Sequence, residues 1–294
     1  MRYEGAVFRP PSEAYSLILQ ATLGCSQNTC TFCGMYKDKK YRERDLNEIK
    51  EDIRSARMHY GDVTRVFLAD GDALALDTEK LLEILQELYT VFPHIDHLGI
   101  YASPKSILNK SPEELKTLKE HGLTIAYYGV ETGDPELLKE VRKGFTRDEM
   151  VEAGKKVVAS GIDLSVTLIL GLAGSDREKS ERHALHSAEV CSEINPQFLS
   201  ALTLMLVPGT VMYRKAQRGE FVLPNPFEVL RELRTLVEGL YMKDPCVFRT
   251  NHASNYLPIK GTLPQDKAAI LQALDMVLQK KDDRYLRPDY LRGL

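Results

Sequence analysis

The sequence predicts an α/β fold, a partial (β/α)6 barrel of the TIM type followed by a C-terminal helical extension. Three observations carry this expectation: six apolar strand-like runs, amphipathic helical patterns between them, and further helical patterns after the last run. Regular strand–helix alternation argues for parallel strands joined by right-handed crossovers. Six units stop short of the eight that close a full barrel.

The strand candidates, in order, are Tyr15–Ala21, Thr64–Ala69, Asp96–Tyr101, Leu123–Gly129, Asp163–Leu170 and Phe198–Val207. Helix starts lie between them. Asp45 and Glu48 have capping-box spacing, in which a side-chain oxygen meets an otherwise unpaired first-turn N–H, ahead of the apolar Leu46, Ile49 and Ile53. Ser111-Pro112-Glu113-Glu114 offers an N-cap, a first-turn proline and a reciprocal glutamate. Asp134-Pro135-Glu136 and the pair Thr146 and Glu149 are similar starts. Residues 1–219 are thus expected to form the barrel, and residues 220–294 a helical extension packing on it. The extension begins at the proline-marked link Leu223-Pro224-Asn225-Pro226, continues as an amphipathic helix to about Tyr241, and ends in a charged tail from Lys280 that is expected to fray.

Length and composition narrow the function. At 294 residues the chain suits one α/β barrel with a sizeable core. With 39 basic and 42 acidic side chains, a net charge of −3 and no polybasic tail, a small-molecule substrate is favoured over nucleic acid. No apolar stretch approaches the ~20 residues of a membrane span, and the start Met-Arg-Tyr-Glu-Gly is unlike a signal peptide. A cytoplasmic location, where thiols stay reduced, is the default expectation.

Cys25, Cys30 and Cys33 fall in one loop after the first strand, the end of a barrel where chemistry collects. Thiolates are soft ligands that select zinc or iron–sulfur centres. A closed zinc site wants four ligands, usually in paired knuckles. Here the third cysteine lacks a paired partner and the nearest histidine, His59, lies beyond an intervening helix; only a distant Cys191 or Cys246 is left to complete zinc. Buried, inert cysteines would be the plainest account, but three within nine residues of a chain with five fit it poorly. A three-thiolate nest leaves one position open for chemistry, so a site-differentiated iron–sulfur cluster is the first hypothesis.

Other motifs lie at later strand ends. Phe67-Leu68-Ala69-Asp70-Gly71-Asp72-Ala73 joins a glycine, which allows close backbone approach to a ligand, to an acidic side chain suited to an ammonium. Read plainly, it is an Asp-Gly turn. Tyr128-Gly129-Val130-Glu131-Thr132-Gly133 leads into a helix and then Arg142-Lys143-Gly144, basic residues that a helix C-terminus also favours. The strand Leu164–Leu170 runs into Gly171-Leu172-Ala173-Gly174, and Ser103 follows the third strand in a Ser-Pro pair that equally well ends a strand.

Together these motifs resemble the radical S-adenosylmethionine (radical SAM) superfamily over roughly Leu17 to Gly219. The pattern is nearest to the group containing tRNA methylthiotransferases, elongator-type acetyltransferases and oxygen-independent coproporphyrinogen oxidases. One departure is the gap of four residues, Ser26 to Thr29, where the commonest spacing has three. The resemblance implies a [4Fe–4S] cluster on Cys25, Cys30 and Cys33, with aromatic Phe32 before the last cysteine. It also implies that Gly71 and Asp72 receive the methionine ammonium, and that Lys143, with Arg142 as alternate, pairs with the carboxylate. Glu131 would contact the nucleoside or amino-acid part, and the Leu172 loop would pack against adenine. Thr167 stands where some members carry a ribose-binding Asp, Ala173 replaces the usual Pro, and Ser103 is a weaker cofactor candidate.

The implied reaction is reductive cleavage of S-adenosylmethionine to methionine and a 5′-deoxyadenosyl radical, the protein supplying orientation and a dry interior. Only Cys191 and Cys246 remain beyond the loop, so a second cluster is not expected, and neither a cobalamin-binding nor an RNA-binding segment stands out; methylthiolation is disfavoured. The polar segment Phe248–Tyr256 offers His252 as an acid or base on substrate, or else a loop satisfying its own backbone. The run Lys37–Arg44 is either a solvated face or a docking surface for an acidic flavodoxin or ferredoxin electron donor. His59, His94, His97, His121, His183 and His186 are expected in surface or helix roles. A non-catalytic iron–sulfur or zinc-binding protein is the competing class.

Overall fold

All six expected strands form in the computed structural model, which describes residues 1–293. These residues make two compact units.

The first unit comprises residues 1–28, 35–128 and 156–164. Its elements are β1 (Leu17–Gln20), the short antiparallel pair β2 (Thr22–Leu23) and β3 (Arg42–Glu43), α1 (Leu46–Tyr60), β4 (Arg65–Ala69), α2 (Thr78–Val91), β5 (His97–Ala102), α3 (Pro104–Leu108), α4 (Pro112–Glu120) and the first part of β6 (Ile125–Glu131). Strands β1, β4, β5 and β6 pair in that order and all are parallel, with registers Leu17↔Val66, Arg65↔His97 and Gly99↔Ile125. The expected caps are present. Asp45 accepts from the N–H groups of Asn47 and Glu48 at the start of α1, and Ser111 with Glu114 forms a full capping box on α4. Val66 and Leu68 of β4, Ile49 and Ile53 of α1, and Ile84 and Leu88 of α2 are fully buried.

At the N-terminal ends of these strands the fully buried Glu13 accepts hydrogen bonds from His97 Nε2 (2.6 Å) and from the hydroxyls of Ser16 and Tyr127. His97 therefore has a buried partner rather than the surface or helix role expected of it. Gly99 keeps the space open, since a Cβ there would lie 3.1 Å from Glu13 Oε1 and 3.0 Å from the Phe67 ring. Burial pushes the Glu13 carboxyl up, but the bonds from His97, Ser16 and Tyr127 outweigh it and hold the group below its ordinary value of 4.5. A depressed folded-state pKa gives stability that is present above the unfolded value and lost as pH falls through the folded one. Glu13→Gln is therefore expected to lose roughly 1.5–3 kcal/mol at pH 7. Its deficit should shrink below about pH 4. Denaturant melts at the two pH values check this, and a deficit independent of pH would contradict it.

The second unit comprises residues 29–34, 129–155 and the chain from Ser165 onward. It contains the end of β6, α5 (Pro135–Glu140), most of α6 (Arg147–Ala159) and of β7 (Asp163–Leu170), α7 (Arg177–Ile194), β8 (Phe198–Thr203), α8 (Val211–Gln217), α9 (Pro226–Gly239), β9 (Cys246–Arg249), β10 (Lys260–Leu263) and α10 (Lys267–Lys280). β7 and β8 are parallel from Ser165↔Phe198 to Leu170↔Thr203, β9 pairs parallel with β8, and β10 returns antiparallel to β9. Beside the helices expected after residue 220, this stretch thus adds strands, one of them parallel to the barrel strands.

Over its described residues the charged tail is tied down rather than frayed. It forms short turns at Asp283–Tyr285 and Asp289–Leu291. Between them Arg287 donates to the carbonyls of His252, Ala253 and Asn255, while Arg292 donates to that of Ser254 and stacks 3.8 Å from the Tyr256 ring centroid. Cys191 and Cys246 are fully buried in this unit, and burial pushes both thiols up, away from the thiolate that a metal ligand requires. Among the described residues no helix is long and apolar enough to cross a membrane.

Candidate functional site

In the first unit the chain leaves β2 through Gly24, whose φ of +71° favours glycine, and reaches Cys25. Asp70, directly after β4 and fully buried, accepts from the Gly24 N–H (3.1 Å), Gln20 Nε2 (3.0 Å) and Lys39 Nζ (2.9 Å), all through Oδ2. One carboxylate thus ties the residue before the cysteine loop to a residue after it. Its other oxygen, Oδ1, is buried and without a hydrogen-bond partner among the described residues. Asn28 lies within the four-residue gap, and its side chain donates to the carbonyls of Tyr36 (2.6 Å) and Lys39 (3.2 Å). The longer gap is therefore pinned to the far side of its own loop.

Lys39 does not belong to the solvated face expected for Lys37–Arg44. It is paired with Asp70 with 9% of its side chain exposed, and Arg44 is buried against Asp52 at 2.8 Å. Lys37, Asp38, Lys40, Arg42 and Glu43 remain exposed.

The next two residues of the same β4 turn complete the arrangement. A Cβ at Gly71 would lie 2.5 Å from the Tyr36 ring and 3.0 Å from Cys25 Cβ, an approach only glycine permits. Asp72 is fully buried and accepts from the Ser26 hydroxyl, the Ser103 N–H (3.0 Å) and the Ser103 hydroxyl (2.7 Å). Burial pushes its carboxyl up, and these bonds oppose the shift. The structure thus brings together Asp72 and Ser103, two residues singled out by sequence, and adds Ser26 and Asp70, which were not. Ser103 also caps α3, accepting from the Ser106 N–H at 3.1 Å, so the strand-ending reading of Ser-Pro holds as well.

In the second unit, Cys30, Phe32 and Cys33 are carried by a short segment held through its backbone. The Thr31 N–H donates to the Val141 carbonyl (2.9 Å), the Thr31 carbonyl accepts from Met212 (2.9 Å), and Thr29 Oγ1 donates to the Arg142 carbonyl (3.1 Å). Phe32 packs against an apolar cluster of Val141, Leu172, Leu204 and Met212. Phe32 and Leu172 are therefore neighbours. Ile169 joins the same cluster, and Thr167, two residues earlier on β7, shares its face of the strand.

Glu131 adopts φ +66°, a left-handed conformation rare for a residue with a Cβ, and its Oε1 accepts from Lys143 Nζ at 3.2 Å. A Cβ at Gly129 would come within 2.1 Å of that oxygen, so the glycine makes room for the carboxylate. Lys143 is buried whereas Arg142 is exposed, which separates the two basic candidates.

His252 lies beyond the C-terminal end of β9, with Nδ1 3.1 Å from the Ser254 N–H donor and 2.9 Å from the Ser254 hydroxyl. Burial, aided by the Arg287 charge, pushes its pKa down from 6.5 and favours neutral imidazole. Its loop is anchored by Asn255, which donates to the Ala201 carbonyl and accepts from Thr203 Oγ1, both at 2.9 Å.

The three loop cysteines are half-buried. Among the described residues no three Cys, His, Asp or Glu side chains converge on one point, which a single ion such as zinc would require. An iron–sulfur cube instead takes each thiolate on a different iron, so soft donors spaced along a tied loop suit it in chemistry.

The family description "Radical SAM superfamily" matches residues 19–185. The heme chaperone HemW of Bacillus subtilis (strain 168) is 24% identical over 217 residues, covering 72% of this chain and 56% of its own. The uncharacterized methyltransferase PH0819 of Pyrococcus horikoshii is 25% identical over 209 residues, covering 70% and 43%. The chain spans about half the length of these curated relatives. Among solved structures, coproporphyrinogen III oxidase (HemN) from Escherichia coli superposes with a TM-score of 0.55 at 17% identity over 76% of this chain and 52% of its own. The radical S-adenosylmethionine methyltransferase TsrM from Kitasatospora setae gives 0.56 at 17% over 88% and 52%. At such identity these neighbours speak for the fold, an α/β partial barrel with a mostly parallel sheet.

Proposed function

The chain belongs to the radical SAM superfamily, and on that premise we propose that it is an enzyme that cleaves S-adenosylmethionine reductively and acts on a small or medium-sized substrate. Its cofactors are those of the family, a [4Fe–4S] cluster and S-adenosylmethionine. The observation that carries the reading lies around Cys25. Asp70 and Asp72, on either side of Gly71, hydrogen-bond Gly24 and Ser26, on either side of Cys25. The first thiolate and the segment that resembles the ammonium-binding motif are thus one interlocked structure.

Cys25, Cys30 and Cys33 would hold the cluster, which when bound supplies an electron and an open iron at which S-adenosylmethionine is split into methionine and a 5′-deoxyadenosyl radical. The roles of the chain itself follow from charge and shape. Asp72 offers an anion to the ammonium and Lys143 a cation to the carboxylate. Phe32 and Leu172 offer an apolar wall to adenine, and Glu131 and Thr167 offer oxygens to the nucleoside. Neutral His252 is available to move a proton on the substrate. The net charge of −3 supports a small molecule over nucleic acid, and thiols that must stay reduced support the cytoplasm.

Anaerobic reconstitution with iron and sulfide, then S-adenosylmethionine and dithionite, tests the reading. Methionine and 5′-deoxyadenosine by chromatography support it. The name of the Bacillus relative, a heme chaperone, favours weighing a second reading, a non-catalytic iron–sulfur or zinc-binding protein. A colourless zinc protein, or a loaded one yielding no cleavage product, would establish that alternative.

For the electron donor we propose an acidic flavodoxin or ferredoxin meeting the exposed Lys37 and Lys40. Charge reversal at both should slow reduction by the protein donor several-fold at low salt and leave dithionite reduction unchanged. Equal slowing of both would remove the docking role.

A further inference from the structure

We propose that Glu232 and His183 are positioning residues for S-adenosylmethionine, bracing from behind the two strand-end loops that would hold it. The inference rests on the roles given above to Glu131 and Leu172. Glu232 on α9 accepts from the Gly171 N–H at 2.8 Å, the residue before Leu172, and from the Ser180 hydroxyl of α7. His183 of α7 places Nε2 3.4 Å from Glu232 Oε1 and 3.2 Å from the Ile169 carbonyl. Its Nδ1 lies 2.7 Å from Thr132 Oγ1, the residue after Glu131. Next along the chain, the Gly133 N–H donates to Ser187 Oγ at 2.9 Å, one helical turn from His183.

The bonds have a consistent direction. Thr132 Oγ1 already accepts from the Asp134 N–H at 3.0 Å, leaving its own hydrogen for His183 Nδ1. His183 then carries a proton on Nε2, facing the Ile169 carbonyl and Glu232, a placement assigned from the network. Thr132, His183, Ser187 and Glu232 are at most 2% exposed. A buried carboxylate–imidazole pair is a poor source of stability compared with an apolar contact between the same helices. What it supplies here is reach. Apolar side chains between α7 and α9 could not bond Gly171 and Thr132, which adjoin backbone at φ +83° (Gly171 itself) and φ +66° (Glu131). Glycine takes its angle freely, but strained backbone such as that of Glu131 persists only where neighbours over-determine it. Because both loops answer to one pair, loosening the pair should displace Glu131 and Leu172 together, while the cysteine loop keeps its own ties.

Isothermal titration of the reconstituted protein with S-adenosylmethionine, without reductant so that nothing is consumed, reads the effect. Glu232→Gln, which keeps shape and an acceptor for Gly171, and Thr132→Val, which removes the far hydroxyl, are each expected to weaken binding about tenfold or more. Melting temperature should stay within about 5 °C, and the visible absorption of the cluster should not change. Ser192→Ala, which removes a hydroxyl further along α7 that is bonded to neither Glu232 nor either loop, should change affinity less than about threefold. Should Glu232→Gln melt well below that margin, Thr132→Val alone decides. Wild-type affinity in Thr132→Val overturns the proposal. A wild-type protein that carries a cluster but binds no S-adenosylmethionine overturns the parent reading instead.

Discussion

Replacing Cys30 with alanine is expected to abolish cleavage of S-adenosylmethionine, lowering 5′-deoxyadenosine formation on the order of 10³-fold or more, about 4 kcal/mol in barrier height. The size follows from chemistry rather than packing. A three-thiolate site with one ligand removed no longer holds the cube with a defined open iron. The fold should survive, because the segment around Cys30 is held by backbone bonds from Thr31 to Val141 and Met212, which do not involve the thiol. Iron content, the visible charge-transfer band and product formation should therefore fall together while the melting temperature moves by only a few degrees. Cleavage near the wild-type rate in a folded Cys30→Ala protein would exclude the assignment of this loop.

Asp72→Ala is expected to have the next largest effect and to act on two links at once. It removes the acceptor of the Ser26 and Ser103 hydroxyls and one of the two acceptors of the Ser103 N–H, which keeps Ser106 Oγ at 2.9 Å. An unsatisfied buried donor costs about 1–3 kcal/mol, so a loss of roughly 3 kcal/mol in stability is expected after local relaxation. The variant also removes the anion offered to the ammonium, and burial makes that anion one that gains from a nearby cation. Affinity for S-adenosylmethionine should fall roughly 100-fold, about 2.7 kcal/mol. Titrating well below the variant's melting temperature separates the two effects. An unchanged dissociation constant with lowered stability would reduce Asp72 to a structural role.

Much of the scaffold was legible because local signals and tertiary structure agree. The strand runs at Thr64–Ala69 and Asp163–Leu170 are marked by their own apolar composition, the caps at Asp45 and Ser111 rest on contacts within a few residues, and all four appear as expected. β9 was not legible, since Cys246–Arg249 is only four residues long and becomes a strand by pairing with β8. The partnership of Asp72 with Ser103 spans 31 residues and exists only once β4 and β5 are side by side. Lys39 looked like part of a solvated charge run because its partner, Asp70, lies beyond α1. For Glu232 a signal was present. It interrupts the buried stripe of Val229, Leu233 and Leu236 on α9, and a carboxylate there needs a buried partner. His183, beside Ala184, Ser187 and Ala188 on the buried face of α7, is that partner.

The tie from Asp70 to Gly24 and Lys39 also bears on how the protein matures. It is made wholly of protein atoms, as are the bonds from Asn28 across the same loop. In small metal-dependent domains the ligands are scattered until the metal gathers them, so that metal binding and folding are one event. Here the groups that fasten the loop's entry and exit are the chain's own, so this part of the loop does not depend on a metal ligand for its shape. A loop shaped in this way is one into which a cluster can be delivered as a late, separable step, whereas in small metal-dependent domains delivery and folding coincide.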